Sequence, residues 1–171
     1  LIYERKQNAE AHLPEKKREL VLPEKSEDMK KVFAYLCKTR MIKPDIVSEL
    51  AKSGLLYQDK KGNAVFVHKD DSGKIIGAEI QGTNSFQRFK GVAPGTSESV
   101  FTFKLCDKPN SCYVFESAID LLSFKQLANP EKIKNSMLVS MAGLKPNTLK
   151  NLAESGVKLY SLSLIHISEP T

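Results

Sequence analysis

The sequence predicts two unlike parts in one chain: an α+β N-terminal part, two helices plus an antiparallel meander, followed by a truncated α/β part on a parallel sheet. Three observations carry this. Apolar residues recur at helical spacing between residues 26 and 54. From Leu55 to Gln81, β-branched and aromatic runs alternate with turn residues every ~10 positions, as in a meander. From Cys112 onward, apolar strands alternate with helices of about ten residues, the signature of βαβ units.

The elements follow in order. Residues 1–25 mix charges with Pro14 and Pro23 and read as a linker, the tail of an upstream domain. Ser26 can cap a first helix, with Glu27 and Asp28 in its first turn and Val32, Phe33, Leu36 and Cys37 on one face. Pro44 suits the first position of a second helix whose stripe is Ile46, Val47, Leu50 and Ala51 and which Gly54 ends. This pair is close to a helix-turn-helix, but the mixed-sign face of Lys43, Asp45, Ser48, Glu49 and Lys52 is a poor base reader, and packing alone explains it. Strands are expected over 55–58, 64–68 and 75–81; Asp70–Gly73 reads as a turn, since the downstream ligands of a calcium loop are missing. Residues 82–96 read as a loose loop and 100–105 as a strand. Then come a strand at 112–115, a helix at 117–127, a strand at 137–140, a helix at 146–155 and a strand beginning near Val157.

With 171 residues, 41% of them hydrophobic and 27% charged, the chain is long enough for one domain or two small ones with a real core. It contains nothing like the roughly 20 uncharged residues of a membrane-spanning helix. The net charge of +6 is spread over the folded part and favours a polyanionic partner. Three cysteines without a CxxC read as reduced, which fits a cytoplasmic protein, and a zinc site would need His68 or another histidine at unorthodox spacing. His12, His68 and His166 have no partner pattern and receive no role. The chain opens at Leu1, so its true N-terminus is expected to lie upstream.

In an open parallel sheet, ligands bind beyond the carboxyl ends of the strands. Glu116 stands there on the first parallel strand, and Asp120 follows four positions on. Two readings stay open: the pair converges as a magnesium site, or both carboxylates merely decorate a helix N-terminus.

The segment Tyr113–Leu122 (YVFESAIDLL), followed by Met137–Leu144, resembles the opening of a Toprim domain, the metal-binding module of bacterial primases, type IA topoisomerases and some nucleases. The resemblance implies that Glu116 is the catalytic acid/base and a metal residue, with Asp120 as a second metal residue. Ser117 departs from the glycine usual after that glutamate. Upstream, Gly54-Leu55-Leu56, Asp71–Gly77 and Arg88-Phe89-Lys90-Gly91 ahead of Val100–Lys104 resemble a primase core, and more closely the uncharacterised domain that precedes Toprim in primase-like proteins of plasmids and conjugative elements.

That likeness implies nucleic-acid contacts by Arg88, Lys90 and Lys104, with Phe89 able to stack on a base; a solvated loop with one phenylalanine tucked inward is the plain alternative. It also implies Mg2+, single-stranded DNA and nucleotides as ligands, and a replicative or conjugative helicase or relaxase as a further partner. The corresponding division is 1–25 linker, 26–108 primase-core-like part, 109–162 N-terminal half of a Toprim-like domain and 163–171 tail.

A Toprim fold calls for two later aspartates one residue apart, yet no Asp follows Asp120. Residues 163–171 resemble a translated sequencing adapter, so the expectation is a truncated fragment that binds Mg2+ weakly or not at all and is inactive as written. The expected function is that of a magnesium-dependent, primase-like nucleotidyltransferase of a mobile element, in fragment form. A Toprim nuclease and a non-catalytic DNA-binding module are the alternatives. A topoisomerase is disfavoured because none of Tyr3, Tyr35, Tyr57, Tyr113 and Tyr160 sits in a promising context.

Overall fold

The computed structural model describes residues 18–161 apart from 97 and 144. Residues 1–17 of the linker expected over 1–25, the tail expected over 163–171, and His12 and His166 lie outside the described residues. No described helix is long and apolar enough to cross a membrane.

Two helices and a sheet make the N-terminal part. Helix α1 (Lys30–Ala34) runs into a π-helical turn (Tyr35–Thr39), and α2 (Pro44–Lys52) follows with Pro44 at its start and Ile46, Val47 and Leu50 buried. Ser26 does not cap α1; its amide instead donates to Gln58 O. The first free amides of α1 are met by Asp28 Oδ1, which accepts from Lys30 N at 2.9 Å, and by Gln58 Oε1, which accepts from Lys31 N at 2.9 Å and Val32 N at 3.1 Å.

Strands β1 (Leu56–Gln58), β2 (Ala64–Lys69), β3 (Ile75–Gln81) and β4 (Lys90–Val92) form an antiparallel sheet in that order. The meander is therefore present and one strand longer than expected: Lys90 pairs with Gln81 in β4 within the segment that reads as a loose loop. Asp70 organises the 70–74 turn, Oδ1 accepting from Ser72 N, Ser72 Oγ and Lys74 N. Gly77 pairs with His68, where an added Cβ would lie 2.4 Å from Ser99 Oγ, so only glycine fits.

Residues 18–25 are not a free linker. Val21 N donates to Pro94 O, Lys60 N to Glu24 O and Tyr57 Oη to Pro23 O. Leu20 and Leu22, two apart as a strand-like segment requires, cover Val65, Ala78, Ile80 and Ala93 on the sheet face away from the helices.

The second sheet has the order β5-β7-β6-β8, with β5 Phe101–Lys104, β6 Ser111–Phe115, β7 Ser136–Ser140 and β8 Lys158–Ser161. Strand β6 runs parallel to both β7 and β8, whereas β5 is antiparallel to β7. The sheet is thus mixed. Strand β5, grouped by sequence with the N-terminal part, pairs within the second sheet. Helix α3 (Ala118–Leu127) links β6 to β7 together with a short α4 (Pro130–Ile133) that lies outside the expected elements, and α5 (Pro146–Glu154) links β7 to β8.

The two parts share one core. Val32, Leu36, Leu50 and Phe66 form a single cluster with Phe101, Phe115, Leu121 and Leu122. Phe66 meets Phe101 edge to face at 5.4 Å between ring centroids. On the other face of the second sheet, Cys112, Val114, Val139 and Met141 pack with Leu149 and Leu152 of α5. Helices α3 and α5 therefore cover opposite faces, as the period-2 alternation of β6 dictates.

Candidate functional site at the carboxyl end of β6

The chain leaves β6 to form β7 on one side, then crosses back to form β8 on the other. Strand β6 is therefore a topological switch point, where the connections part and a crevice opens beyond the strand end. Glu116 follows Phe115, the last residue of β6, and is exposed in that crevice. A cavity of about 620 Å³ lies there, walled by Glu116, Val114 and Phe115, the Met141–Gly143 turn, and Glu79 and Lys90 of the first sheet. Ala142 (φ 45°) and Gly143 (φ 114°) both take left-handed conformations, which bend the chain sharply away from β7; for Ala142 that backbone is strained.

Ser117 caps α3. Its Oγ accepts from Asp120 N at 3.2 Å and donates to Asp120 Oδ2 at 2.6 Å. This local bond holds the Asp120 carboxylate beside the first turn of α3. Asp120 borders a second cavity of about 580 Å³, with Arg40, Arg88, Gln81 and Tyr35, and Lys90 lies on the walls of both cavities. Lys90 thus borders the cavities of both acidic residues, Arg88 borders only that of Asp120, and Glu116 and Asp120 line different cavities. Lys104 stands apart: Nζ is 2.8 Å from Asp71 Oδ1, and it lines neither cavity. Phe89 is half exposed, with its ring against Gly91 and its carbonyl accepting from Gly82 N.

A carboxylate not singled out from the sequence joins the two sheets. Glu79 is buried on β3, where Oε1 accepts from Ala118 N at 3.0 Å and Oε2 accepts from Ser140 Oγ at 2.6 Å. Burial pushes its carboxyl pKa up, opposed by those two hydrogen bonds and by Lys90 and Lys145. Lys145 Nζ donates to Ser99 O at 2.5 Å, and burial lowers its pKa while Glu79 and Glu98 oppose the shift. His68, wholly buried, bonds Ser99 Oγ through Nδ1 at 2.9 Å. Burial first and Lys145 second lower its pKa to about 3, so it is neutral at pH 7. Glu79 had a signal in the sequence: with Gly77 and Gln81 it occupies the face opposite Ala78 and Ile80, and it pairs with core Phe66. A charge on that face has to find partners.

Magnesium takes about six oxygen ligands and usually keeps several waters. Glu116 is one open carboxylate, both oxygens of Glu79 are engaged, and one oxygen of Asp120 is bonded to Ser117. Among the described residues no three His, Cys, Asp or Glu side chains gather as a metal site. These residues by themselves do not fit a magnesium centre.

Residues 34–109 match a family described as "Protein of unknown function (DUF3991)". The chain is 34% identical over 123 residues to an uncharacterized protein of Bacillus anthracis, covering 68% of this chain and 36% of that protein. It is 36% identical over 113 residues to a 65 kDa protein of Zymomonas mobilis, covering 63% of this chain and 19% of the other. The chain therefore spans well under half the length of either relative. Among solved structures it is similar to an E. coli primase catalytic core at 16% identity and TM-score 0.43, covering 75% of this chain and 45% of that one. It is also similar to a DnaG primase catalytic domain bound to single-stranded DNA, at 15% identity and TM-score 0.40, covering 84% and 48%.

Proposed function

We propose that this chain is a segment of a primase-like nucleotidyltransferase of a mobile genetic element such as a plasmid, with its reacting groups outside the carboxyl end of β6. The observation that carries the proposal is Glu116, an exposed carboxylate at the switch point of the second sheet, in a cavity that Lys90 borders from the first sheet. The motif Tyr113–Leu122 and its resemblance to a Toprim opening support the same position.

In nucleotidyl transfer a hydroxyl oxygen attacks the α-phosphorus, the bond to pyrophosphate breaks, and the hydroxyl proton must leave. Glu116 accepts that proton, acting as general base. Lys90 faces the phosphate charge and Arg88 holds the neighbouring backbone. Single-stranded DNA and nucleotides are the proposed ligands, and a helicase or relaxase is a proposed further partner. No step is assigned to a metal. We expect weak magnesium binding at most, and no primer synthesis by the 171-residue chain alone.

A second reading, a non-catalytic DNA-binding module, is favoured by one observation: Asp120 is bonded to Ser117 and lines a different cavity from Glu116, and the cations bordering that cavity can bind phosphate without a metal. A Toprim nuclease would use Glu116 in the same way, with water in place of the hydroxyl.

Primer synthesis on single-stranded template with Mg2+ tests the proposal, using the 171-residue chain and a longer protein that carries it. The expected result is no product from the chain alone and synthesis from the longer protein that Glu116→Gln abolishes. Synthesis that survives Glu116→Gln would overturn the proposal, and turnover by the chain alone would overturn its expected inactivity.

A further inference from the structure

The loop between β3 and β4 carries an aromatic side chain that the other described residues leave uncovered. Phe86 is 98% exposed. The loop around it is nevertheless pinned. Gly82 N donates to Phe89 O at 2.8 Å, Thr83 Oγ1 donates to Gly62 O at 2.7 Å, and Phe86 N donates to Asn84 Oδ1 at 2.9 Å. The ring is held out on an anchored loop rather than folded into the core.

The second cavity opens beside this loop, with Asn84, Ser85 and Arg88 on its wall. Its charged lining is Arg40, Arg88 and Lys90 against the single carboxylate of Asp120. Arg40 comes off the π-helical turn, an irregularity found disproportionately at functional sites. The next residue, Met41, sits at φ 58° although it is not glycine. Gln126 of α3 fixes this corner from both ends: Nε2 donates to Met41 O at 2.9 Å, and Oε1 accepts from Lys43 N at 2.9 Å. A strained corner held in this way fixes the backbone from which Arg40 projects.

We propose that this loop tip and this cavity together bind single-stranded nucleic acid, one base stacking on Phe86 and the adjoining phosphates lying against Arg40, Arg88 and Lys90. The proposal rests on the nucleic-acid reading above and adds Arg40 and Phe86 to it. A single strand is the fitting ligand because its unpaired bases offer free faces for stacking, whereas in a duplex those faces are already stacked. Phe86 is not part of the cavity lining, so a ligand that engages both extends beyond one phosphate group. Two rings, Phe86 and the half-exposed Phe89, among cations and hydroxyls are also too small an apolar patch for a stable protein interface.

The test is the affinity of the 171-residue chain for a fluorescent single strand about a dozen nucleotides long, several times the smallest site sizes of such proteins. It is measured over a salt series with chelator present, so that no metal chemistry contributes. Phe86→Ala, at a side chain exposed among the described residues, is expected to weaken binding about tenfold with an unchanged salt slope. Phe86→Trp is expected to retain binding. Arg40→Gln and Arg88→Gln are expected to weaken binding and to lower the slope by about 0.7 each. Lys132→Gln, an exposed cation on α4, is expected to change neither.

Wild-type affinity in Phe86→Ala, or a duplex of the same sequence bound as tightly as the single strand, would overturn the proposal. So would a Phe86→Ala effect confined to self-association, which would mark a protein contact. Mononucleotide competing as well as the strand would also overturn it, because the site would then end at the cavity. If the predicted binding pattern holds while the longer protein makes no Glu116-dependent primers, the catalytic reading fails and this site stands as that of a binding module.

Discussion

Ser140 Oγ donates a 2.6 Å hydrogen bond to Glu79 Oε2, so the last residue of β7 is tied to the middle of β3 and the two sheets are joined beside the candidate site. The other oxygen of Glu79 accepts from Ala118 N, two residues beyond Glu116. One buried side chain thus sets the height of the β6–α3 turn against the first sheet.

That arrangement makes Glu79 sensitive to shape more than to charge. In Glu79→Gln the amide oxygen can still accept from Ala118 N and the amide NH2 can donate to Ser140, so the loss should be small, about 1 kcal/mol or less. Glu79→Ala strands both buried donors and should cost about 2–4 kcal/mol. Urea denaturation of the two variants checks this, and equal losses would contradict it.

Gln58 should behave as the cap of α1 although it lies on a strand. Its Oε1 takes two helix amides, so Gln58→Ala should cost about 1–2 kcal/mol, the scale of a lost N-cap. Hydrogen exchange should show the effect, with faster exchange at Lys31 and Val32 and little change in α3.

The shared core predicts one unfolding transition. Phe101 is fully buried against Phe66 across the two sheets, so Phe101→Ala should cost about 3–5 kcal/mol. Far-UV circular dichroism and tyrosine fluorescence should then shift together on denaturation. Two separated transitions would contradict a common core.

Acidification should destabilise the fold through His68. Its pKa falls from 6.5 to about 3 on folding. The unfolded chain therefore binds a proton that the native state does not, and stability is lost as pH drops from 6.5 toward 3. Glu79 acts in the opposite sense: its raised pKa contributes stability that is present below 4.5 and lost as pH rises through the folded value. Urea midpoints across this range should fall toward acid in the wild type and fall less steeply in His68→Gln. Parallel curves would show that His68 is not the proton acceptor.

Much of the frame was legible because it rests on local chemistry. Pro44 and the Ile46, Val47, Leu50 stripe mark α2, turn residues separate β1, β2 and β3, and the Tyr113–Leu122 pattern marks β6 and α3. Other features depend on partners distant in sequence. Strand β4 is only three residues, one of them glycine, and exists because Gln81 and Glu79 pair with it. The side of β7 that β5 joins is a matter of sheet order, on which its own alternation is silent. Leu20 and Leu22 sit among charges and prolines, and only the distant sheet face they cover gives them a place in the core.

At the site, position was easier to read than convergence. Glu116 and Lys90 share a cavity wall, but the spacing of Glu116 and Asp120 could not show that Ser117 holds the second carboxylate toward the other cavity. Glu79 needed the strand alternation to be followed for its one charged exception on the core-facing side.

Nucleic acid has to reach the end of β6 if Glu116 is to act on it. A benzophenone side chain placed at position 116, photolysed with a labelled single-stranded oligonucleotide, measures this directly. The expected result is a crosslink that unlabelled single strand competes away and high salt abolishes, with none from the same probe at position 132 on α4. No crosslink at 116 under conditions where the chain binds the strand would contradict it.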